Sequence, residues 1–114
     1  METHKIPEIG MGCTYGAGSD QYPATIINVE SYRKIPNGKI TIQDDILIVI
    51  PPEDGKTYQY GDNIPYKYES NIHGATTIYT LRKNNRYIKQ GRAIKDWWCS
   101  LSIGYRRYYQ DPHF

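Results

Sequence analysis

No run of apolar residues in this chain approaches the roughly 20 that a membrane-spanning helix needs, and the opening METHKIPEIG lacks the hydrophobic stretch of a signal peptide. A soluble, cytoplasmic protein with no membrane partner is therefore expected. Cysteine is scarce: Cys13 and Cys99 stand far apart, without CxxC spacing and without histidines gathered around them, which argues against a zinc site and for free thiols. The three histidines, His4, His73 and His113, have no carboxylate or serine at a recognisable spacing, so no histidine-based triad is expected. The paired acids Asp44-Asp45 and Glu53-Asp54 read as solvated loop ends rather than as ligands converging on a divalent cation. These scarcities point to a chain with no metal, no cofactor and no catalytic residue, a binding protein rather than an enzyme.

What is abundant is tyrosine, which supplies 12 of the 15 aromatic residues while apolar residues make up only 39% of the chain. Core positions must then often be filled by rings whose hydroxyls need partners. At 114 residues the chain is one domain, too short to divide into two packed cores. Its net charge of +2 hides a division: residues 1–81 hold six bases against ten acids, and residues 82–114 hold eight bases against two acids. That asymmetry points to an anionic partner.

The first twenty residues read as a glycine-rich loop, GMGCTYGAGSD, ahead of a β-barrel spanning 24–109 and a short tail at 110–114. ATIINVESY has the β-branched and aromatic composition of a strand, and IPNGK supplies an Asn-Gly pair, a signal for a hairpin turn before KITIQ. The five apolar residues Ile46 to Ile50 predict a fully buried strand. TTIYTLRKNNRYIKQG predicts a hairpin turning at Asn84-Asn85, and AIKDWW is the one candidate for a helical turn. The last strand places Cys99, Leu101, Ile103 and Tyr105 on one face, with a bulge or strand end expected near Arg106-Arg107, because a charge resists burial unless paired. Five to seven short strands with little helix predict an all-β fold, a small antiparallel barrel or roll of the SH3-like or OB-like kind.

The glycines of GMGCTYGAGSD invite a phosphate-loop reading, but neither G-x-x-x-x-G-K-[ST] nor G-x-G-x-x-G between strand and helix is present, and a structural loop is the simpler account. Basic and aromatic residues carry the stronger signal. Arg82, Lys83 and Arg86 gather at one predicted hairpin tip, while Arg106, Arg107, Tyr108 and Tyr109 follow the last strand. Arginine offers phosphate a planar fork, and tyrosine stacks on bases. The same residues also suit a tyrosine-filled barrel with a solvated basic rim.

The stretches GMGCTYGAGSDQYPATIINV, GKITIQDD, YKYESNIHGATTIYTLRKNNRYI and LSIGYRRYYQDPHF resemble a family of small, largely uncharacterised proteins encoded by bacteriophages and prophages. The similarity runs from about Gly10 to Phe114 and rests on Ser19, Asp20 and Thr25, on Leu81, Arg82, Lys83 and Arg86, and on Gly104, Arg106, Tyr109, Asp111, Pro112 and Phe114. Gln21 stands where the family pattern has arginine, and Tyr87 where it has tryptophan. The resemblance implies an accessory factor that counters host defence by binding. One expectation is capture of a nucleotide immune signal, such as a cyclic oligonucleotide, by a homo-oligomer. Tyr15, Ser19, Asp20, Tyr22, Arg82, Lys83, Arg86, Arg106, Arg107, Tyr108 and Tyr109 are then the candidate ligand-binding residues. The alternatives are a binder of nucleic acid or of a host defence nuclease, and a nucleotide hydrolase.

Overall fold

The computed structural model describes residues 6–52, 55 and 65–109. Eight strands run through them: β1 (Gly12–Ala17), β2 (Asp20–Tyr32), β3 (Ile35–Asp44), β4 (Ile46–Val49), β5 (Tyr66–Glu69), β6 (Thr76–Leu81), β7 (Tyr87–Lys89) and β8 (Ser100–Ile103). A single 3-10 turn, Trp97–Cys99, precedes β8. Six strands close an antiparallel barrel in the order β1-β2-β3-β6-β7-β8, with β8 returning to β1, and β4 and β5 form a separate two-stranded arm. The all-β barrel expected from the sequence is the fold. Its strands follow one another up and down in chain order, interrupted only by the arm.

Alternation along the strands builds the interior. Cys13 on β1, Ala24 and Ile26 on β2, Ile40 and Ile42 on β3, Tyr79 on β6 and Leu101 on β8 form one buried cluster, with Tyr15, Val29, Tyr87 and Ile103 packed against it. Each fully buried isoleucine contributes about 1.5–3 kcal/mol relative to exposure. The Tyr87 hydroxyl donates to the Asn37 carbonyl oxygen at 2.8 Å, the kind of partner that a tyrosine-rich core requires.

Four expectations are corrected. The glycine-rich opening is not a loop: Gly12–Ala17 is the first barrel strand. Its glycines serve close approach, since a Cβ at Gly12 would stand 2.7 Å from the Arg106 guanidinium and one at Gly16 2.7 Å from the Trp98 carbonyl oxygen. The first hairpin turns at Arg33-Lys34, not at Asn37-Gly38. Both turn residues have positive φ, and Tyr32 pairs with Ile35 across the turn. The positive φ of Asn37 is used three residues later, where Pro36 to Gly38 bulge out between the Tyr32–Ile35 and Glu30–Lys39 pairs. Asn-Gly reports a left-handed backbone without saying whether a turn or a bulge needs it.

Ile46 to Ile50 do not form a buried strand. Among the described residues β4 pairs only with β5 in the arm, and Ile46, Ile48, Val49 and Ile50 are each at least 37% exposed. Finally, the last strand stops at Ile103, where Gly104 turns with φ 98°, so Cys99 belongs to the 3-10 turn and Tyr105 lies beyond the strand, half exposed.

From Gly104 the chain becomes a strap across the outside of β1 and β2. The Gly104 N–H donates to the Gly12 carbonyl oxygen (2.8 Å), the Thr14 hydroxyl donates to the Tyr105 carbonyl oxygen (2.9 Å), and Gln21 and Tyr109 exchange two backbone hydrogen bonds of 2.7 and 2.9 Å. The strap thereby covers the start of β2, whose β3 partner begins only at Ala24.

Candidate functional site

Arg106 shows why charge along the chain does not translate directly into a binding surface. Its Nε donates to Asp45 Oδ2 at 2.7 Å and its Nη2 to the Thr25 hydroxyl at 2.9 Å, while that hydroxyl donates to Asp45 Oδ1 at 2.7 Å. The Ser70 hydroxyl stands 2.9 Å from Thr25 Oγ1 and, because the single Thr25 proton is committed to Asp45, it is the donor. The Asp45 side chain is fully buried. Arg106 is thus spent on holding the strap to β2, the arm and the end of β3, and is no free phosphate ligand.

The other predicted site residues separate into distinct places. Tyr22 and Tyr108 belong to a chain of rings, Tyr15–Tyr22–Tyr108–Tyr66, with centroids 5.5, 5.8 and 4.9 Å apart, and the Tyr68 hydroxyl accepts the Tyr108 N–H at 3.1 Å. Burial, then the neighbouring Asp20 carboxylate, pushes the Tyr22 phenol up, so it stays a neutral donor to Asp20. Arg107 lies over the Tyr109 ring at 5.5 Å. These rings join strap to barrel and arm.

Tyr15, Ser19 and Asp20 line a groove of about 190 Å³ together with Gly16, Gly18, Gln21, Thr14, Trp98, Ser100, Ser102 and Tyr105. Arg82 and Lys83 line a different one. This second groove, about 850 Å³, is formed where the β2–β3 turn (Tyr32, Arg33, Ile35), the β6–β7 hairpin (Thr80 to Lys83, Asn85) and the segment after β7 (Gln90 to Arg92, Ile94) converge. Arg86 sits on the same hairpin tip, exposed. Asp20 and Tyr32 are the two ends of the 13-residue β2. At about 3.3 Å per residue the two grooves are therefore several tens of ångströms apart along that strand. One ligand on one copy of the chain cannot bridge the predicted tyrosines and the predicted arginines.

The larger groove is basic and apolar at once. Arg33, Arg82, Lys83 and Arg92 line it with Tyr32, Ile35, Leu81 and Ile94. Among the described residues no carboxylate lies within ion-pair distance of any of the four cations. Arg82 is fixed: Nε donates to the Thr80 hydroxyl (2.9 Å), Nη1 to the Arg92 carbonyl oxygen (2.8 Å) and Nη2 to the Lys89 carbonyl oxygen (3.3 Å). Those bonds order the segment after β7 without neutralising the charge, and leave two of the five guanidinium protons for a ligand. Arg33 is held over the Tyr32 ring at 5.1 Å, on a backbone with φ 50°. Arg33 and Arg92 were missed in the sequence; the only signal was that Arg33-Lys34 are adjacent bases between two strands.

Among the described residues no three of His, Cys, Asp and Glu gather as metal ligands, and no helix is long and apolar enough to cross a membrane. No protein-family model, no curated protein and no solved structure matches the chain.

Proposed function

We propose that the chain is a binding protein whose basic groove takes a phosphorylated, nucleotide-type ligand. The observation that carries the reading is the set of four cations, Arg33, Arg82, Lys83 and Arg92, unpaired by carboxylates among the described residues and set around an apolar floor. Phosphate oxygens match arginine forks, and a base matches Tyr32 and the aliphatic side chains. The volume lies within the roughly 300–1,000 Å³ typical of small-molecule sites. Left-handed backbone at a non-glycine residue is costly, and its occurrence at Arg33, on the groove, fits a position kept for its side chain. Taken with the resemblance to phage-encoded proteins, the role is capture of a nucleotide signal of host defence, by binding alone.

Calorimetry with a panel of linear and cyclic nucleotides tests this. Binding at micromolar concentration, weakened at least about tenfold by Arg33→Ala and by Arg92→Ala, is expected. Silence across the panel rules the groove out, and a ligand recovered cleaved after heat denaturation replaces capture with hydrolysis. A second reading, a nucleic-acid surface, is favoured by Lys34, Arg86, Lys89 and Lys95, exposed cations in the turns and segments that frame the groove. It predicts a log–log salt slope of about −0.7 per phosphate engaged for single strands, growing with oligonucleotide length.

A further inference from the structure

The basic groove is assembled around one side chain, and we infer that Arg82 is its positioning residue: by gripping both ends of the Lys89–Arg92 turn it sets Arg92 beside itself, so that two guanidinium groups form a subsite for a single phosphate before a ligand arrives. On the nucleotide reading of the groove, on which this inference rests, that pair receives the phosphate while Tyr32 and the apolar floor receive the base. The turn is closed by the Arg92 N–H, which donates to the Lys89 carbonyl oxygen at 3.0 Å, and its third residue, Gly91, has the positive φ (90°) that a type II turn needs there. Arg82 reaches this turn from the β6–β7 hairpin. Its Nη2 donates to the Lys89 carbonyl oxygen, where the turn begins, and its Nη1 to the Arg92 carbonyl oxygen, where the turn ends.

Arg82 is itself held at both ends. Its backbone is fixed at the hairpin tip, the N–H donating to the Arg86 carbonyl oxygen (2.9 Å) and the carbonyl oxygen accepting the Asn85 N–H (3.0 Å). Its side chain is fixed by Thr80, only 4% exposed, whose hydroxyl accepts the Nε–H at 2.9 Å. All three side-chain acceptors are neutral, so the positive charge stays whole, and two guanidinium protons remain for a ligand. The Arg92 backbone stands within hydrogen-bond reach of that charge, and both arginines line the groove with no carboxylate within ion-pair distance among the described residues. Like charges gathered without a counterion repel, and an anion between them relieves the repulsion. Phosphate matches: its oxygens accept from two planar forks at once, and a site already ordered loses little side-chain freedom on binding. A lysine at position 82 would keep the charge but has no fork with which to hold Thr80 and both carbonyls together.

The test combines NMR and calorimetry with inorganic phosphate, adenosine 5′-monophosphate and adenosine as probes. In the free protein the Arg82 Nε–H should exchange with solvent at least about tenfold more slowly than that of the exposed Arg86. Inorganic phosphate should give saturable shifts centred on the Gln90–Arg92 amides and on the Arg82 and Arg92 side chains. Arg82→Lys, which conserves charge, should weaken the monophosphate about tenfold or more and leave the weaker binding of adenosine unchanged. Thr80→Val, which keeps the shape and removes the hydroxyl, should weaken the monophosphate several-fold, and Thr80→Ser should restore it. The exchange measurement needs no variant and decides the matter if a substituted chain fails to fold. An unprotected Arg82 Nε–H, undiminished monophosphate binding in Arg82→Lys or Thr80→Val, or no recovery in Thr80→Ser overturns the inference and leaves the nucleotide reading standing. The absence of any phosphate shift at tens of millimolar, in a chain that binds a nucleotide, does the same. Silence toward phosphate and every nucleotide fells both together.

Discussion

A single buried carboxylate dictates much of what the residues around it can do. Asp45 has no exposed side-chain surface, and Arg106 is its ionic partner. Removing one member of a buried pair leaves an uncompensated charge, so Arg106→Met should cost about 3 kcal/mol in chemical denaturation. Adding Asp45→Asn to Arg106→Met should recover part of the loss. From the sequence, the cost of burying a charge was legible and led to an expected strand end near Arg106-Arg107. Alternation along the strand singles out Arg107, yet Arg106 is the one paired, because its partner Asp45 lies 61 positions away and only the closed barrel brings the two together. Protons report the interior in the same way. Burial foremost, with Asp45 next, pushes the Cys13 thiol from 9.0 up to about 12, and burial foremost raises the Tyr15 and Tyr79 phenols from 10.0. Above pH 9 the unfolded chain releases these protons while the folded chain retains them. The stability they contribute is complete below that pH and drains away as pH climbs through the folded values. Urea titrations should show it falling from about pH 9 upward, with the Cys13→Ala variant, weaker at neutral pH, losing less between pH 9 and 10.

Strands were legible wherever apolar and polar residues alternate, as in β2, β3 and β6, and least legible where glycine stands in for a side chain. β1 reads as loop because Gly12 and Gly16 lack side chains to show a period. Their role is to let the Arg106 side chain and the Trp98 backbone lie against the strand. The turn between β2 and β3 was misplaced because Arg33-Lys34 carries no turn chemistry, although both residues adopt the positive φ of a type I′ turn. Lys34→Gly, outside the groove lining, should therefore stabilise the protein by about 1 kcal/mol, read as a higher denaturation midpoint, with nucleotide binding in the groove nearly unchanged. The turn before β6 should behave oppositely. A Cβ at Gly74 would collide with the Asp44 carbonyl oxygen, a backbone atom, so Gly74→Ala should lower the midpoint substantially.

Over the whole molecule, the charge division of the sequence is re-sorted. Arg106 and Arg107 leave the basic C-terminal third for the end of the barrel that holds Asp20 and Asp45, while Arg33 and Lys34 join Lys83, Arg86 and Arg92 at the other. An anionic partner was legible from composition; the residues that receive it were not, because the groove is assembled from three segments that only strand pairing brings together. Reversing charge at both Arg33 and Arg92 to glutamate should abolish nucleotide binding, and with it any salt dependence of binding, while leaving the far-UV circular dichroism spectrum intact. The barrel is sealed by its outermost strands, with Cys13 paired to Ile103 and Tyr15 to Leu101. On the ribosome, then, the core cannot close until the residue-103 region has left the exit tunnel. The nascent chain waits with β1 unpaired on one side, and a stall upstream of β8 would release a chain open to pairing with its neighbours.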